Sequence, residues 1–222
     1  MGSIQKKYKH RPLGEKQIRI LHLQPGERND SVFVEISHEN LDAKIVKYHA
    51  LSWQWDGQKA SEVIRIKHKD EDNTDPDIWT MEIMANLLAA LKHLRMKDKI
   101  LRLWVDAICI EQIEQDDNLH DEEKNLEKSN QISIMTDIYE MAENVCVWLG
   151  EESEDSAKAI ELVNRLVQLK DFDDIAGLES KISGHSNGND LGALIKLLKR
   201  GWFSRRWVVQ VIYAASPTFG IV

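Results

Sequence analysis

Tryptophan, carboxylate and amide side chains follow apolar segments of this sequence at two places. These residues are Ser52, Trp53, Trp55, Asp106, Glu111 and Gln112. An indole face stacks well on a flat ring such as nicotinamide or adenine. A carboxylate that interrupts an apolar run, as Asp106 does, must be hydrogen-bonded or take part in chemistry. The residue types therefore indicate a site that binds a flat ring beside a carboxylate.

Each of these residues also has a structural interpretation. Asp106 is equally compatible with a carboxylate that accepts hydrogen bonds from loop N–H groups. Core packing is the favoured interpretation of Trp53 and Trp55, because large aromatic side chains are mostly buried. Cys109 lies in the apolar run "AICI", where a buried free thiol is expected. A nucleophilic thiol is the less favoured alternative, since no histidine stands near it in the sequence.

Apolar runs and their periodicity predict the elements that position these side chains. Strands are predicted at 18–23, 32–36, the beginning of 47–57, 63–68, 101–110 and 144–150. Helices are predicted at 81–96, 127–143, 153–169, 191–201 and from about Ser204 onward. The strand, helix and strand across 101–150 predict a βαβ unit, with a right-handed crossover and a parallel strand pair.

The predicted topology places the chemically interesting side chains together. The first two strands predict a hairpin or a pair of edge strands, because Pro25-Gly26 and Asn29-Asp30 between them are turn residues. Ligands of open parallel sheets bind at the carboxyl ends of the strands. The segments after residues 51 and 105 are therefore expected at one edge of the sheet.

These elements predict an α/β domain with a mostly parallel central sheet and flanking helices. We expect an N-terminal arm at 1–17 and one domain at 18–222. Within that domain, N-terminal β additions and an α/β core extend to about residue 150, and a helical part covers 151–222. The apolar ending "TFGIV" indicates either a piece of a longer protein or a strand that pairs back onto the sheet.

Composition excludes several classes of function. A net charge of -8 argues against a nucleic-acid surface, which needs clustered Lys and Arg. The basic run "KKYKHR" at 6–11 is expected to be a solvated arm, with a weak contact to an anionic surface as the alternative. No apolar run approaches a membrane span, and the N-terminus lacks a signal-peptide core. Together with two cysteines in apolar runs, these features predict a soluble protein of the reducing cytoplasm.

Metal and phosphate motifs are absent from the sequence. It contains no Gly-rich phosphate loop, no GxSxG elbow, no HExxH and no CxxC pair. The cluster "HDEE" at 120–123 could ligate a metal, but a solvated acidic loop is the favoured interpretation. We therefore expect no metal site and no bound cofactor.

Five segments, in order, resemble the fungal heterokaryon incompatibility (HET) domain. They are "YHALSWQWDG" at 48–57, "NLLAALKHLR" at 86–95, "LWVDAICIEQ" at 103–112, "EKSNQISIMTDIYEMAENVCVWLG" at 127–150 and "WFSRRWVVQV" at 202–211. The resemblance implies a death-effector domain in fungal non-self recognition. The HET family is in turn distantly similar to Toll-like (TIR) domains, which implies a flavodoxin-like sheet and hydrolysis of NAD as a substrate.

The same resemblance implies site residues near the C-terminus. The family pattern W-x-x-Q-E is similar to the segment that carries the catalytic glutamate of enzymatic TIR domains. Here Trp207 and Gln210 match it, but Val211 replaces the glutamate. Arg205 is a candidate for holding the pyrophosphate. Cys109 and Gln112, from the third segment, join the substrate-binding candidates.

The departures from the family pattern bear on activity. Trp53 replaces a tyrosine, Asp56 separates Trp55 from the glycine, the loop at 113–126 is long and acidic, and Val211 cannot ionise. We therefore expect this chain to be impaired as an NAD hydrolase. Two alternatives stay open: a non-enzymatic signalling module that acts as a homo-oligomer or through an incompatibility partner, and, less favoured, a metal-dependent nuclease.

Overall fold

The structure is a computed structural model that describes residues 6–43, 46–55, 57, 59–68, 77–112, 122–167, 189–205 and 219–221. Its strands are β1 Lys6–Lys7, β2 Gln17–Leu23, β3 Phe33–Asn40, β4 His49–Ser52, β5 Glu62–His68, β6 Asp77–Ile83, β7 Leu101–Val105, β8 Asn144–Val147 and β9 Phe219–Ile221. Its α-helices are α1 Ala85–Leu94, α2 Asp106–Cys109, α3 Glu122–Ser133, α4 Met135–Glu140, α5 Ser156–Val167 and α6 Asn189–Leu198. Short 3-10 helices cover Leu41–Ala43 and Gly201–Ser204.

The described chain forms two compact units. The first contains the residues up to 150 together with 219–221, and the second contains residues 151–205. The strands of the first unit form one mixed sheet in the order β1-β6-β5-β3-β2-β7-β4-β8-β9. The prediction of an α/β fold with a mostly parallel sheet is confirmed.

The strands β7, β4, β8 and β9 form the parallel part of the sheet. β4 pairs with both β7 and β8, and β8 pairs with β9, each time in parallel. Numbered along the chain among themselves, these four strands follow the order 2-1-3-4, which is that of flavodoxin-like sheets. The pairing of β9 confirms that the segment near the C-terminus returns to the sheet. The switch point of this order lies between β4 and β8.

The N-terminal half of the sheet is mixed. β2 and β3 form the predicted antiparallel hairpin, with Ile20 opposite Ser37. The alternative that they are edge strands is wrong, because β2 also pairs with β7 and β3 with β5, so both lie inside the sheet. The β2 residues Ile18, Ile20 and Leu21 are fully buried. The hairpin therefore extends the parallel part and shares its core.

Two predicted elements begin or end at other residues than expected. The helix predicted from Met81 begins at Ala85, because Asp77–Ile83 pairs with the whole of β5 and this pairing overrides local helix propensity. The strand predicted to reach Ile110 ends at Val105. There the Asp106 carboxylate accepts a hydrogen bond from the Ala107 N–H at 2.8 Å and the chain turns into α2.

The predicted βαβ unit differs in one respect. β7 and β8 are parallel, as expected, but β4 lies between them, so they are not a hydrogen-bonded pair. The single helix predicted at 127–143 is two helices, which meet at Ile134. Two tyrosines attach α4 to β4: the Tyr48 hydroxyl donates to the Ile138 carbonyl at 2.6 Å, and that of Tyr139 donates to the Leu51 carbonyl at 3.3 Å.

The second unit contains α5, α6 and the 3-10 helix at Gly201–Ser204. Arg165 of α5 donates to Asp190 of α6 at 2.8 Å. Helix was predicted from about Ser204, but the 3-10 turn ends there and Arg205 is extended, with φ -78° and ψ 136°. The remainder of that predicted helix lies outside the described residues. The acidic loop expected at 113–126 lies outside them only as far as residue 121, and its last part is helical because α3 begins at Glu122.

A buried ion pair connects three segments of the first unit. The Arg19 guanidinium, which is 0% exposed, donates to both carboxylate oxygens of Glu127 at 2.8 and 2.9 Å. It also donates to the Cys109 carbonyl at 3.0 Å and the Arg11 carbonyl at 2.6 Å. Burial alone raises the pKa of the Glu127 carboxyl, but the hydrogen bond and charge of Arg19 outweigh burial and lower that pKa. The pair therefore fastens α3, α2 and the N-terminal arm to β2.

We predict that Glu127→Ala lowers the free energy of unfolding by about 3 kcal/mol, because it leaves a buried guanidinium without its counter-ion. Urea unfolding followed by far-UV circular dichroism measures this. Glu143→Ala is the control: it removes a carboxylate whose partner, Lys47, is largely exposed, and should cost at most about 1 kcal/mol. The extra loss of unfolding free energy in Glu127→Ala should vanish as the pH falls through the lowered pKa of Glu127. Protonation then removes the counter-ion of Arg19 from the unmodified protein as well. Equal costs at pH 7 would contradict the assignment.

Candidate functional site at the carboxyl ends of the parallel strands

The carboxyl ends of β4, β7 and β8 lie next to one another in the sheet. Ser52 ends β4, Asp106 follows β7 directly, and Trp148 follows β8. Ligands of doubly wound sheets bind at this edge, at the switch point of the strand order. The structure thus brings the side chains after β4 and β7 together, as the sequence indicates.

Asp106 joins the two tryptophans of the loop after β4. Its Oδ1 accepts the indole N–H of Trp53 at 2.8 Å, and its Oδ2 accepts that of Trp55 at 2.9 Å. The two rings are stacked, with centroids 5.6 Å apart and planes inclined by 21°. Trp53 is fully buried, whereas Trp55 is partly exposed. We call these three residues the Asp106–tryptophan cluster.

The structural interpretation describes the contacts of Asp106 and the burial of Trp53. Asp106 accepts the Ala107 N–H, as a structural carboxylate does, and also orients both indoles. Trp53 belongs to the core, which leaves Trp55 as the ring whose surface is accessible. A ring held by one hydrogen bond and one stacking contact is preorganised, so it loses little conformational freedom when a ligand binds.

Two residues that the sequence analysis did not single out stabilise the same edge. Asn86, in the first turn of α1, donates from Nδ2 to the Gln54 carbonyl at 2.9 Å and accepts the Trp148 indole N–H on Oδ1 at 2.8 Å. The backbone N–H of Trp148 donates to the Ser52 carbonyl at 2.9 Å. Asn86 thus connects the ends of β4 and β8. The available signal was a buried tryptophan, which needs an acceptor for its N–H.

The other candidates from the third segment support the backbone after β7. Gln112 donates from Nε2 to the carbonyls of Asp106, at 3.2 Å, and Ile110, at 3.1 Å, while its Oε1 accepts from Lys128 at 3.2 Å. The Cys109 thiol is fully buried and accepts the Val105 N–H at 3.3 Å. Burial raises its pKa to about 12, so the thiol is protonated and not nucleophilic at neutral pH.

A groove of about 1630 Å³ opens beside the cluster. Trp55, Ala107, Glu111 and Gln112 line it at the strand-end edge, whereas the other site candidates there do not: Ser52, Trp53, Asp106 and Cys109. The N-terminal arm, the end of β6 and helix α3 provide the other walls. The volume exceeds the roughly 300–1,000 Å³ of ordinary small-molecule pockets. An extended ligand whose flat ring lies on Trp55 therefore has room.

The remaining predicted site residues lie in the second unit or outside the described residues. Arg205 belongs to the second unit, and Trp207, Gln210 and Val211 lie outside the described residues. His120 of the acidic cluster also lies outside them. Where the structure describes side chains, no group of three or more His, Cys, Asp or Glu is arranged to hold a metal ion. No helix within the described ranges is long and apolar enough to cross a membrane.

The family model described as "Heterokaryon incompatibility protein (HET)" matches residues 48–210. The chain belongs to the HET family. It is also 27% identical over 201 residues to Heterokaryon incompatibility protein 6, OR allele, of Neurospora crassa; the alignment covers 77% of this chain and 28% of that protein. The chain thus spans less than a third of that relative's length. No solved structure matches it.

The HET match divides the residues of the first unit into two groups. The Asp106–tryptophan cluster, Asn86 and Gln112 lie inside the matched range, whereas Arg19 and the arm precede it. Polar residues of the matched segments have visible roles: Glu127 binds Arg19, and Gln131 donates to the Gln17 carbonyl at 2.9 Å. In this chain, two residues that match the family pattern thus contact a hairpin that lies outside the match.

We predict that Asp106→Asn lowers the free energy of unfolding by about 1–3 kcal/mol, because an amide NH₂ then meets an indole N–H that keeps no acceptor. It should also change the near-UV circular dichroism of the stacked tryptophans. Denaturant unfolding and near-UV spectra measure both effects. Asp42→Asn, at an exposed carboxylate paired with Lys16, is the control and should leave the spectrum unchanged. An unchanged near-UV spectrum in Asp106→Asn would contradict the inference that this carboxylate holds the two indoles in place.

Proposed function

We propose that this chain is the effector domain of a fungal heterokaryon incompatibility system and acts by hydrolysing NAD or a related nucleotide, as TIR-like enzymes do. Membership of the HET family and similarity to the Neurospora heterokaryon incompatibility protein support the incompatibility role. The observation that carries the catalytic part is the Asp106–tryptophan cluster at the strand-end edge. It combines an accessible indole face, which lines a groove large enough for a dinucleotide, with a carboxylate that holds this indole and does not itself line the groove.

The proposed reaction breaks the bond between nicotinamide and its ribose. Water adds to the ribose C1′ carbon, the electron pair of the C–N bond leaves with nicotinamide, and the proton of the water passes to solvent. The sugar carries positive charge in the transition state, and a nearby carboxylate stabilises that charge. Trp55 would stack on a flat ring of the substrate, while Asp106 fixes that indole and adds negative charge to the site.

Residue 211 of this chain lacks the carboxylate that the proposed reaction needs. The HET pattern places a glutamate after Gln210, and TIR-like hydrolysis depends on a glutamate in a similar segment. Val211 has neither charge nor a hydrogen-bonding group, so it cannot stabilise an oxocarbenium-like sugar or hold ribose hydroxyls. We propose that this chain binds the nucleotide and hydrolyses it poorly.

We predict that Val211→Glu releases nicotinamide from NAD at least tenfold faster than the unmodified chain, because it restores the carboxylate. Chromatography of nicotinamide and ADP-ribose from reactions at pH 7 measures this. Val211→Gln, which has a similar shape without the charge, is the control and should stay at the level of the unmodified chain. Absence of release by Val211→Glu, where an enzymatic TIR domain is active under the same conditions, would contradict hydrolysis of NAD.

A second prediction concerns binding alone. Trp55→Ala should weaken NAD binding about tenfold or more, since stacking of a base on an aromatic side chain contributes about 1–3 kcal/mol. Calorimetric titration of the unmodified chain and the variant measures the dissociation constants. Ile132→Ala, at an exposed α3 position that does not line the groove, is the control. Equal affinities of Trp55→Ala and the unmodified chain would exclude Trp55 as the stacking surface.

A non-enzymatic signalling module that assembles with a second copy is the second candidate. Helix α6 favours it, because Leu191, Ile195 and Leu198 form an apolar stripe at helical spacing and are 45–51% exposed. The charged residues of α6 are already paired within the second unit, Asp190 with Arg165 and Lys196 with Asp155, so the apolar stripe alone would form the contact between two copies. On this alternative, cell killing is unaffected by Asp106→Ala and is lost in the double variant Leu191→Lys, Ile195→Lys.

A further inference from the structure

Helix α2 carries Asp106 and is too short to hold itself in place. It has four residues, and its end is closed by one hydrogen bond, from the Ile110 N–H to the Asp106 carbonyl at 3.1 Å. The last carbonyls of a helix have no partner within it and need outside donors. The position of the Asp106–tryptophan cluster therefore depends on the groups that bind the far end of α2.

Two side chains from the N-terminal region supply these donors. The His10 Nε2–H donates to the Ile108 carbonyl at 2.7 Å, and the Arg19 guanidinium donates to the Cys109 carbonyl at 3.0 Å. Asp106 binds the two indoles at one end of the helix, and these two donors hold the other end. Because His10 and Arg19 both precede residue 48, neither belongs to the segment that matches the HET family.

The arm that carries His10 is itself held along its length. The Tyr8 N–H donates to the Thr80 carbonyl at 2.8 Å, and the Leu13 N–H donates to Glu127 Oε2 at 3.3 Å. The Tyr8 ring lies edge-on to the His10 ring, with centroids 5.3 Å apart. These contacts fix the direction of the imidazole without involving the strand-end edge.

We propose that His10 is a positioning residue for the Asp106–tryptophan cluster: its hydrogen bond to the Ile108 carbonyl holds α2 where the Asp106 carboxylate meets both indoles. The expectation of a solvated arm at 6–11 is wrong, because Tyr8, His10 and Arg11 contact the first unit. By this inference the arm is part of the site's support. The inference concerns the protein without ligand and does not rest on hydrolysis of NAD.

The chemistry of the contact suggests a conservative replacement. Burial and the neighbouring Arg19 charge lower the pKa of His10 to about 4, so the ring is neutral at pH 7 and a single N–H donates to the carbonyl. A glutamine side chain also offers an N–H donor at a similar reach. An alanine offers none.

The test uses the whole chain with ¹⁵N-labelled indoles. Two-dimensional NMR of the indole N–H groups, assigned by single Trp→Phe variants, is recorded at pH 7 for the unmodified protein, His10→Ala and His10→Gln. In His10→Ala the signals of Trp53 and Trp55 should shift or broaden, while those of Trp104 and Trp202 stay in place. In His10→Gln they should return toward their original positions. His22→Ala, which removes a hydrogen bond to Ser37 far from α2, is the control.

Several results would overturn the proposal. Unchanged Trp53 and Trp55 signals in His10→Ala would show that α2 holds its position without the arm. An equal shift in His10→Gln would show that the hydrogen bond is not the cause. Global unfolding of His10→Ala in far-UV spectra would assign His10 to the stability of the whole unit and not to the cluster. None of these measurements uses NAD. The His10 proposal can therefore be wrong while the proposed function is right, and the proposed function can be wrong while the His10 proposal is right.

Discussion

The buried Arg19 guanidinium needs hydrogen-bond acceptors, because water cannot reach it. Much of the first unit is arranged to supply these acceptors. Burial of an unpaired charge is costly. The acceptors come from the arm, from α2 and from α3, which are distant in sequence. Because none of the three can move away without leaving part of the guanidinium unsatisfied, they are expected to form together. The strand-end edge is thereby tied to a hairpin that precedes the HET match.

Much of the architecture was predictable from local patterns. Alternating or continuous apolar residues located β2, β3, β5, β7 and β8 in the sequence, and turn residues predicted the hairpin. Neighbour relations in the sheet were not predictable in this way. That β4 separates β7 from β8 depends on long-range packing, which leaves no periodicity in either strand. The start of α1 was missed for a related reason: the residues 81–83 favour helix locally, but β5 provides hydrogen-bonding partners for an extended chain.

The candidate site shows a similar division. The sequence indicated Trp53, Trp55 and Asp106 through their types, since a carboxylate inside an apolar run requires partners. It did not indicate that the two tryptophans are themselves those partners, because indole N–H groups leave no pattern that distinguishes one acceptor from another. His10 was missed because its contact, to the Ile108 carbonyl, is to backbone, and Asn86 was missed because the need of the Trp148 indole for an acceptor does not say which residue supplies it. A side chain that binds a distant backbone carbonyl has no partner side chain whose type could reveal the contact in the sequence.

The adjacency of β8 and β9 has a consequence for how this domain can diversify. The two strands lie side by side, yet residues 148–218 separate them along the chain. A parallel pair needs a connection of only about a dozen residues. The connection is therefore longer than closure of the sheet requires, and residues 151–205 of it form the second compact unit. The second unit is thus inserted between two neighbouring strands, and its exposed residues can change while the strand order is kept.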